Sequence, residues 1–242
     1  MSKLTSPIQI TPHDIFTESS RLETDLGQIA YTTDGRKFRY ALAGASALVA
    51  GTLQQGPAII DNHQNVSVAA AVTAGATAIT VTLGATLATA NQYAGGYIVV
   101  NDVTGEGQTF LIKSHPAAAL SASLTLSLDP PDNVKTALDT TSQCCLYPNK
   151  FRSVIQMPTT ITGPVVGVPL FAVTAAYYFW LQTGGPVACL NGDLALTVGS
   201  AVSPSNATAG AVENGVIAQG FVGRALQTGV DTEYRMIDLQ LD

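Results

Sequence analysis

Strict alternation of apolar and polar residues is the feature that most constrains this chain. In "TAITVTLG", Ile79, Val81 and Leu83 share one phase while Thr80 and Thr82 share the other. In "SASLTLSLD", Leu124, Leu126 and Leu128 alternate with Ser123, Thr125 and Ser127. In "RMIDLQLD", Ile237, Leu239 and Leu241 alternate with Asp238, Gln240 and Asp242. Successive side chains of a strand point to opposite faces, so this period marks half-buried antiparallel strands. Helices would repeat their apolar residues at three and four instead. Ala, Gly, Thr, Val and Ser take the place of the charged residues, which make up only 12 % of the chain. Small and β-branched residues suit pleated sheets. The expected fold is all-β, in three parts.

Residues 1–60 read as an N-terminal arm. Apolar periodicity is weak before "YALAGASALVAG", there is room for one short helix, and Asp34-Gly35 suits the positive-φ positions of a tight hairpin turn. Such an arm buries no core of its own and is expected to be mobile until it pairs with a neighbour. Residues 61–150 read as a β-barrel-like middle module containing "GGYIVVND" and "QTFLIKSH", joined by "VTGEG". Gly105-Glu106-Gly107 has the look of a phosphate loop, but such loops open a helix whose N-terminal amides face the anion. Here the glycines lead into a β-branched and aromatic run, and Glu106 would repel phosphate, so a hairpin turn is expected. Pro148, Pro158 and Pro164 mark a crossing segment. Beyond it, residues 151–242 read as a C-terminal β-sandwich or barrel with short strands such as "GVIAQGFVGRAL" and a long loop at "SPSNATAGAVENG".

The net charge of −6 resides outside the first forty residues, which hold five acidic and five basic side chains; the rest hold twelve and six. A body this acidic is a poor partner for a phosphate backbone, so no direct nucleic-acid contact is expected. The one dense basic cluster, Arg36, Lys37 and Arg39, fits a protein-docking or solvated strand. The run Tyr177, Tyr178, Phe179 and Trp180 is the densest aromatic patch. It fits a strand shared between core and subunit interface, with a sugar- or base-stacking platform as the alternative. Residues 62–101 carry no formal charge but alternate, which excludes a membrane helix. The N-terminus lacks a signal pattern, so synthesis and retention in the cytoplasm are expected.

No set of catalytic residues can be named, and no cofactor or metal site either. His13, His63 and His115 lack ligand spacing, and Cys144, Cys145 and Cys189 read as buried, reduced small hydrophobes. No nucleophile elbow, zinc-binding helix or Walker motif is present.

Four stretches carry a resemblance: Gly167 to Ala175, Trp180 to Val187, Gly220 to Leu226, and Met236 to Leu241. With "VGVPLFAV", "WLQTGGPV" and the final alternating strand, the chain resembles virion structural proteins of tailed bacteriophages, most of all the capsid decoration, or cement, class. The middle "YAGGYIVVNDVTGEGQTFLIKSHPAA" and "GRKFRYALAGASALVAGTLQQ" look like segments of other phage structural proteins. The resemblance implies a non-enzymatic protein on the capsid surface that stabilises the shell by bridging subunits of the major capsid protein. It also implies residence in the host cytoplasm during assembly, and a homo-oligomer, a trimer by the family's habit. A receptor- or glycan-binding head-fibre or tail-associated role is the alternative. Size departs from the class: many cement proteins are single small domains, whereas this chain has 242 residues.

Overall fold

The computed structural model describes residues 7–192, 195–215 and 219–242. The protein is all-β, and its only helices among the described residues are single 3-10 turns. Strands β1 (Ile8–Gln9), β2 (Glu18–Ser19), β3 (Ile29–Tyr31), β4 (Lys37–Leu42) and β5 (Gln54–Gln55) come first. They are followed by β6 (Val66–Ser67), β7 (Ala78–Thr82), β8 (Tyr97–Asp102), β9 (Thr109–Ser114), β10 (Ser123–Leu128) and β11 (Gln143–Tyr147). The chain then forms β12 (Ile155–Gln156), β13 (Val165–Gly167), β14 (Tyr178–Leu190), β15 (Ala201–Pro204), β16 (Val212–Asn214), β17 (Gly223–Ala225) and β18 (Tyr234–Gln240). Two compact units result. Ile59–Asn149 is one, inserted within the other, which joins the chain up to Ala58 to Lys150–Asp242.

The inserted unit is a six-stranded antiparallel sheet in the order β6-β11-β8-β9-β10-β7. It closes on itself where Val68 bridges Val81 and the Ala69 amide donates to the Thr80 carbonyl. The alternating residues supply its interior: Ile79, Val81, Leu124 and Leu126 are fully buried among Ile98, Val100 and Ile112. Each such side chain contributes about 1.5–3 kcal/mol through removal from water. The "VTGEG" segment is the turn of the β8–β9 hairpin, with Gly105 and Gly107 at φ of 82° and 87°.

The outer unit contains a nine-stranded sheet, β1-β3-β4-β14-β18-β17-β15-β16 with β2 on β14, and a three-stranded sheet, β12-β5-β13. The thirteen-residue β14 serves both halves: Tyr178 to Gly184 pair with β4, and Gly184 to Leu190 with β18. The expected separate arm of residues 1–60 is therefore corrected. The turn at Asp34-Gly35 does form a hairpin, β3–β4, but β4 is an interior strand of the sheet. Phe38 and Tyr40 enter one core and Ala41 another. In β4 the alternation covers only Lys37-Phe38-Arg39-Tyr40, with Phe38 and Tyr40 buried, and it lapses at Ala41, where both phases turn apolar. "SPSNATAGAVENG" also differs from the loop expected: it spans the β15–β16 hairpin. Residues 216–218 of the expected "GVIAQGFVGRAL" strand lie outside the described residues, and its remainder gives the three-residue β17.

Both units repeat one local device. Isolated antiparallel bridges join Leu48 to Val173, Val72 to Leu138, Ala88 to Ala118, and Leu196 to Gly229. Seven of these eight residues begin the same step, a bridge followed by a turn and then a strand. The turns close by amide-to-carbonyl bonds from Thr52 to Val49, Ala76 to Thr73, Gln92 to Thr89, Ala122 to Ala119, Ser142 to Asp139, Tyr177 to Thr174 and Ser200 to Thr197. Six place their third residue at positive φ: Gly51, Gly75, Asn91, Ser121, Ala176 and Gly199. In the seventh, the Asp139 carboxylate holds the turn by accepting from the Thr141 amide and hydroxyl.

Candidate functional site

The two clusters nominated by the sequence meet on neighbouring strands. Tyr178 lies opposite Leu42, Trp180 opposite Tyr40, Leu181 opposite Arg39, and Gly184 opposite Lys37. Tyr178 and Trp180 face the same side as Phe38 and Tyr40, under Ile10 and Ile15. Tyr40 stacks on Tyr178 with ring centroids 5.9 Å apart and packs against Trp180 at 5.0 Å. Phe179 faces the opposite core, where the half-buried Tyr177 packs against it. Trp180 is only 8 % exposed, so the run does not present its indole as an open platform.

The three basic residues are engaged within the chain. Arg36 pairs with Asp34 at 2.8 Å. Arg39 grips the Asp242 carboxylate through Nε at 2.8 Å and Nη2 at 3.0 Å, donates to the Gly27 carbonyl, and lies over the Phe151 ring. Lys37 donates to the Asp242 carbonyl at 3.1 Å. Burial pushes the Asp242 carboxyl up, but the paired bonds from Arg39 and the charges of Arg39 and Lys150 outweigh it and hold the group below the ordinary carboxylate range. Lys37 and Arg39 thus tie β4 to Asp242.

The histidines flagged by sequence have structural partners. His63 and His115 flank Tyr93 inside the barrel. His115 Nε2 accepts from the Tyr93 amide at 2.9 Å and its Nδ1 donates to the Pro116 carbonyl. His63 Nε2 donates to the Thr86 carbonyl, which leaves Nδ1 to accept from the Tyr93 hydroxyl. Cys144 and Cys189 are fully buried, and burial pushes both thiols up to about 12, far from the reactive thiolate.

A surface that sequence reasoning missed lies on the outer face of β14, β17 and β18. Val187, Ala225, Ile237 and Leu239 point to the core. In the opposite phase, Met236 sits beside Ala188, Tyr234 beside Leu190, and the Leu226 amide bonds the Met236 carbonyl. Met236, Leu226 and Tyr234 are 44–46 % exposed, and Val49 nearby is 50 % exposed. The Tyr234 ring rests on Gly51, where an added Cβ would lie 2.7 Å from it. An open groove of about 370 Å³ runs beside that ring, lined by Val49, Gly51, Pro169, Leu170, Ala172 and Ala188. The signal was in "EYRMIDLQ": Tyr234 and Met236 occupy the phase that a strand with one wet face fills with polar residues. No family model matches this chain, and no curated protein and no solved structure matches it.

Proposed function

We propose that this chain is a non-enzymatic structural protein of a virus particle, a decoration protein of a tailed-bacteriophage capsid that docks through the outer face of β14, β17 and β18. The observation that carries the reading is the contiguous apolar patch of Leu226, Tyr234, Met236 and Val49 beside its groove. Single exposed apolar residues are ordinary, whereas a rimmed apolar patch on a folded domain marks a place where another protein sits. Three of the segments that resemble decoration proteins, Trp180 to Val187, Gly220 to Leu226 and Met236 to Leu241, contribute to β14, β17 and β18. The major capsid protein is the partner this reading assigns, with the chain bridging neighbouring shell subunits.

The test is reconstitution of particles lacking the protein, followed by sedimentation and quantification of the bound chain. Tyr234→Glu and Met236→Glu place a charge on the patch without touching the core. Each should keep the native circular dichroism spectrum and lose most particle binding. Full occupancy by both variants would overturn the assignment of this face, and the absence of wild-type binding to any shell would overturn the reading itself.

A further inference from the structure

The inserted barrel has two unlike outer faces. On β7 and β10 the residues opposite the core are Thr80, Thr82, Ser123 and Thr125, as a wet face requires, and the Thr80 and Thr125 hydroxyls bond each other at 2.9 Å. On β11, β8 and β9 the same phase holds Tyr147, Tyr97 and Leu111 in one row and Cys145, Val99 and Thr109 in the next. Ile98, Phe110 and Leu146 alternate with them into the core. Each row crosses three paired strands, a span of about 10 Å. Tyr97 is 49 % exposed and Tyr147 is 38 % exposed, and among the described residues neither stacks on another ring. Burial closes Trp180 to a flat ligand, whereas these two rings are open to one.

The rim of this face is polar and balanced in charge. Asn101 Nδ2 donates to Asn65 Oδ1 at 2.8 Å and Asn101 Oδ1 accepts from the Cys145 thiol at 3.2 Å, which sets two exposed amides at the Cys145 end. At the Leu111 end, Lys113 is the next outward residue of β9 and the Asp132 carboxylate accepts from the Leu111 amide, one charge of each sign. The two rows themselves carry no charge. Over Ile59–Asn149 the chain holds six acidic and two basic side chains, a net of −4, which disfavours an anionic ligand and a second copy of the same unit. An open aromatic pair calls for a ligand with a flat apolar face, the balanced rim for one without charge, and the amides for one with hydroxyls. We propose that Tyr97, Tyr147 and Leu111 form a binding platform for a neutral glycan. Equatorially substituted pyranose rings lay their axial C–H bonds on the two tyrosines, and their hydroxyls reach Asn65 and Asn101. The platform lies on the inserted unit and the docking patch on the outer one, and neither reading rests on the other.

The test uses the full chain with three neutral probes, cellohexaose, chitohexaose and maltohexaose, and with hexagalacturonate as the anionic control. Binding is followed by calorimetric titration and by the aromatic proton resonances. A neutral probe should bind and shift the Tyr97 and Tyr147 signals while the buried Tyr93 stays unmoved, and hexagalacturonate should bind more weakly. Tyr97→Ala and Tyr147→Ala should each weaken binding by about tenfold, the loss of one ring from an apolar stack. Tyr147→Phe keeps the ring and should keep most of the affinity. Both alanine variants should retain the native circular dichroism spectrum, since neither ring enters the core. No binding by any of the three neutral probes, tighter binding of hexagalacturonate, or binding unchanged by both alanine variants would overturn the platform. So would concentration-dependent association in sedimentation that Tyr97→Ala abolishes, because the face would then belong to a second copy.

Discussion

The inserted and outer units look unlike in sequence, yet their strands follow one plan in a different chain order. In the inserted unit the bridge from Val72 to Leu138 encloses the bridge from Ala88 to Ala118. In the outer unit the bridges Leu48–Val173 and Leu196–Gly229 follow one another. Carrying the segment of Leu48 and β5 from the front of the outer unit to its end gives the enclosing order. Neighbours then correspond: β8-β9-β10-β7 matches β15-β17-β18-β14, and β11-β6 matches β5-β13. Even the closing bridges agree, Val68 to Val81 in one unit and Val168 to Gln182 in the other. In strand order the outer unit is a circular permutation of the inserted one, with β1–β4 along the first half of β14 and with β12 and β16 as further strands that have no counterpart. The difference lies where β11 pairs with β8: the corresponding side of β5 is taken by β12 and that of β15 by β16. A crossing pair of turns can thus organise a barrel wherever the chain is opened, because strand order and not chain order fixes what is buried.

The largest expected effect breaks the units apart. Deleting residues 1–40 removes β1 to β3 and most of β4, and with them Phe38, Tyr40, Ile15 and Ala30 of one core. The outer unit should then fail to fold, while Ile59–Asn149 prepared alone should unfold cooperatively as a single small domain. Calorimetry and amide proton spectra decide it. A deletion that leaves the outer unit native would show that β4 is an appendage and not part of the sheet.

Next come single cavities, one in each barrel. Leu126 and Leu239 are both buried in alternating strands, at 0 % and 1 % exposure. Truncation to Ala should cost about 2–5 kcal/mol at either site. Leu126→Ala should lower the stability of the isolated Ile59–Asn149 fragment, and Leu239→Ala should act on the outer unit alone. Equal loss in both units from either substitution would mean that they do not unfold as separate barrels.

The two units also differ in how far their sequences disclosed them. In the inserted barrel β7 and β10 each have one wet face, so Ile79, Val81, Leu124 and Leu126 mark both the strands and the side they bury. In the outer unit β14 is covered on both faces along its first half, so the two-residue period vanishes there, and in β4 it survives only from Lys37 to Tyr40. Local pattern cannot report a partner that lies some 140 residues away, so β4 reads as part of an arm until β14 is placed beside it. The aromatic and basic clusters were legible as groups, but pairing put them inside the sheet. The repeated turns were present in "VTAGA", "ATANQ" and "VTAAY", yet small residues in a Gly-rich sequence carry little distinction until their carbonyls find partners. Tyr234 and Met236 were overlooked because the buried phase of the same strand was so clean.

A smaller effect compares carboxylates. In the inserted unit the Asp139 carboxylate accepts from the Thr141 hydroxyl and amide and from the Thr104 hydroxyl, and those bonds hold it down to about 2. In the outer unit Asp242 is held low by Arg39 against the cost of burial. A group depressed in the folded state contributes stability above its unfolded value, near about 4, and that contribution is lost as pH falls through the folded value. Both units should therefore lose stability on acidification below about pH 4. Asp139→Asn should flatten the decline of the inserted unit between about pH 4 and the folded value of about 2. Asp242→Asn should do the same for the outer unit, with a stronger dependence on salt because its partner is a cation. Thermal unfolding between pH 5 and pH 2 at two salt concentrations reads both. Parallel declines in wild type and variants would show that neither carboxylate is held in this way.

The smallest effect asks whether the repeated turn does the same work in each barrel. Its third residue needs a left-handed backbone, which Gly adopts freely and other L-residues adopt at a cost of about 1–2 kcal/mol. The inserted unit meets the need with Gly75, at φ of 89° and with open space where a Cβ would stand. The outer unit places Ala176 there at φ of 60°. Gly75→Ala should destabilise the inserted unit by about 1 kcal/mol through backbone strain alone, since no atom is displaced. Ala176→Gly should act in the opposite direction. It relieves strain of about 1–2 kcal/mol but frees the unfolded chain by roughly 0.5–1 kcal/mol, for a net gain of about 0.5–1 kcal/mol in the outer unit. The Ala176 amide keeps its bond to the Gly44 carbonyl in either case. Opposite signs in denaturant unfolding would establish one turn geometry in both barrels. If Ala176→Gly destabilises, the alanine methyl matters more than the backbone, and the correspondence between the two turns is only one of hydrogen bonding.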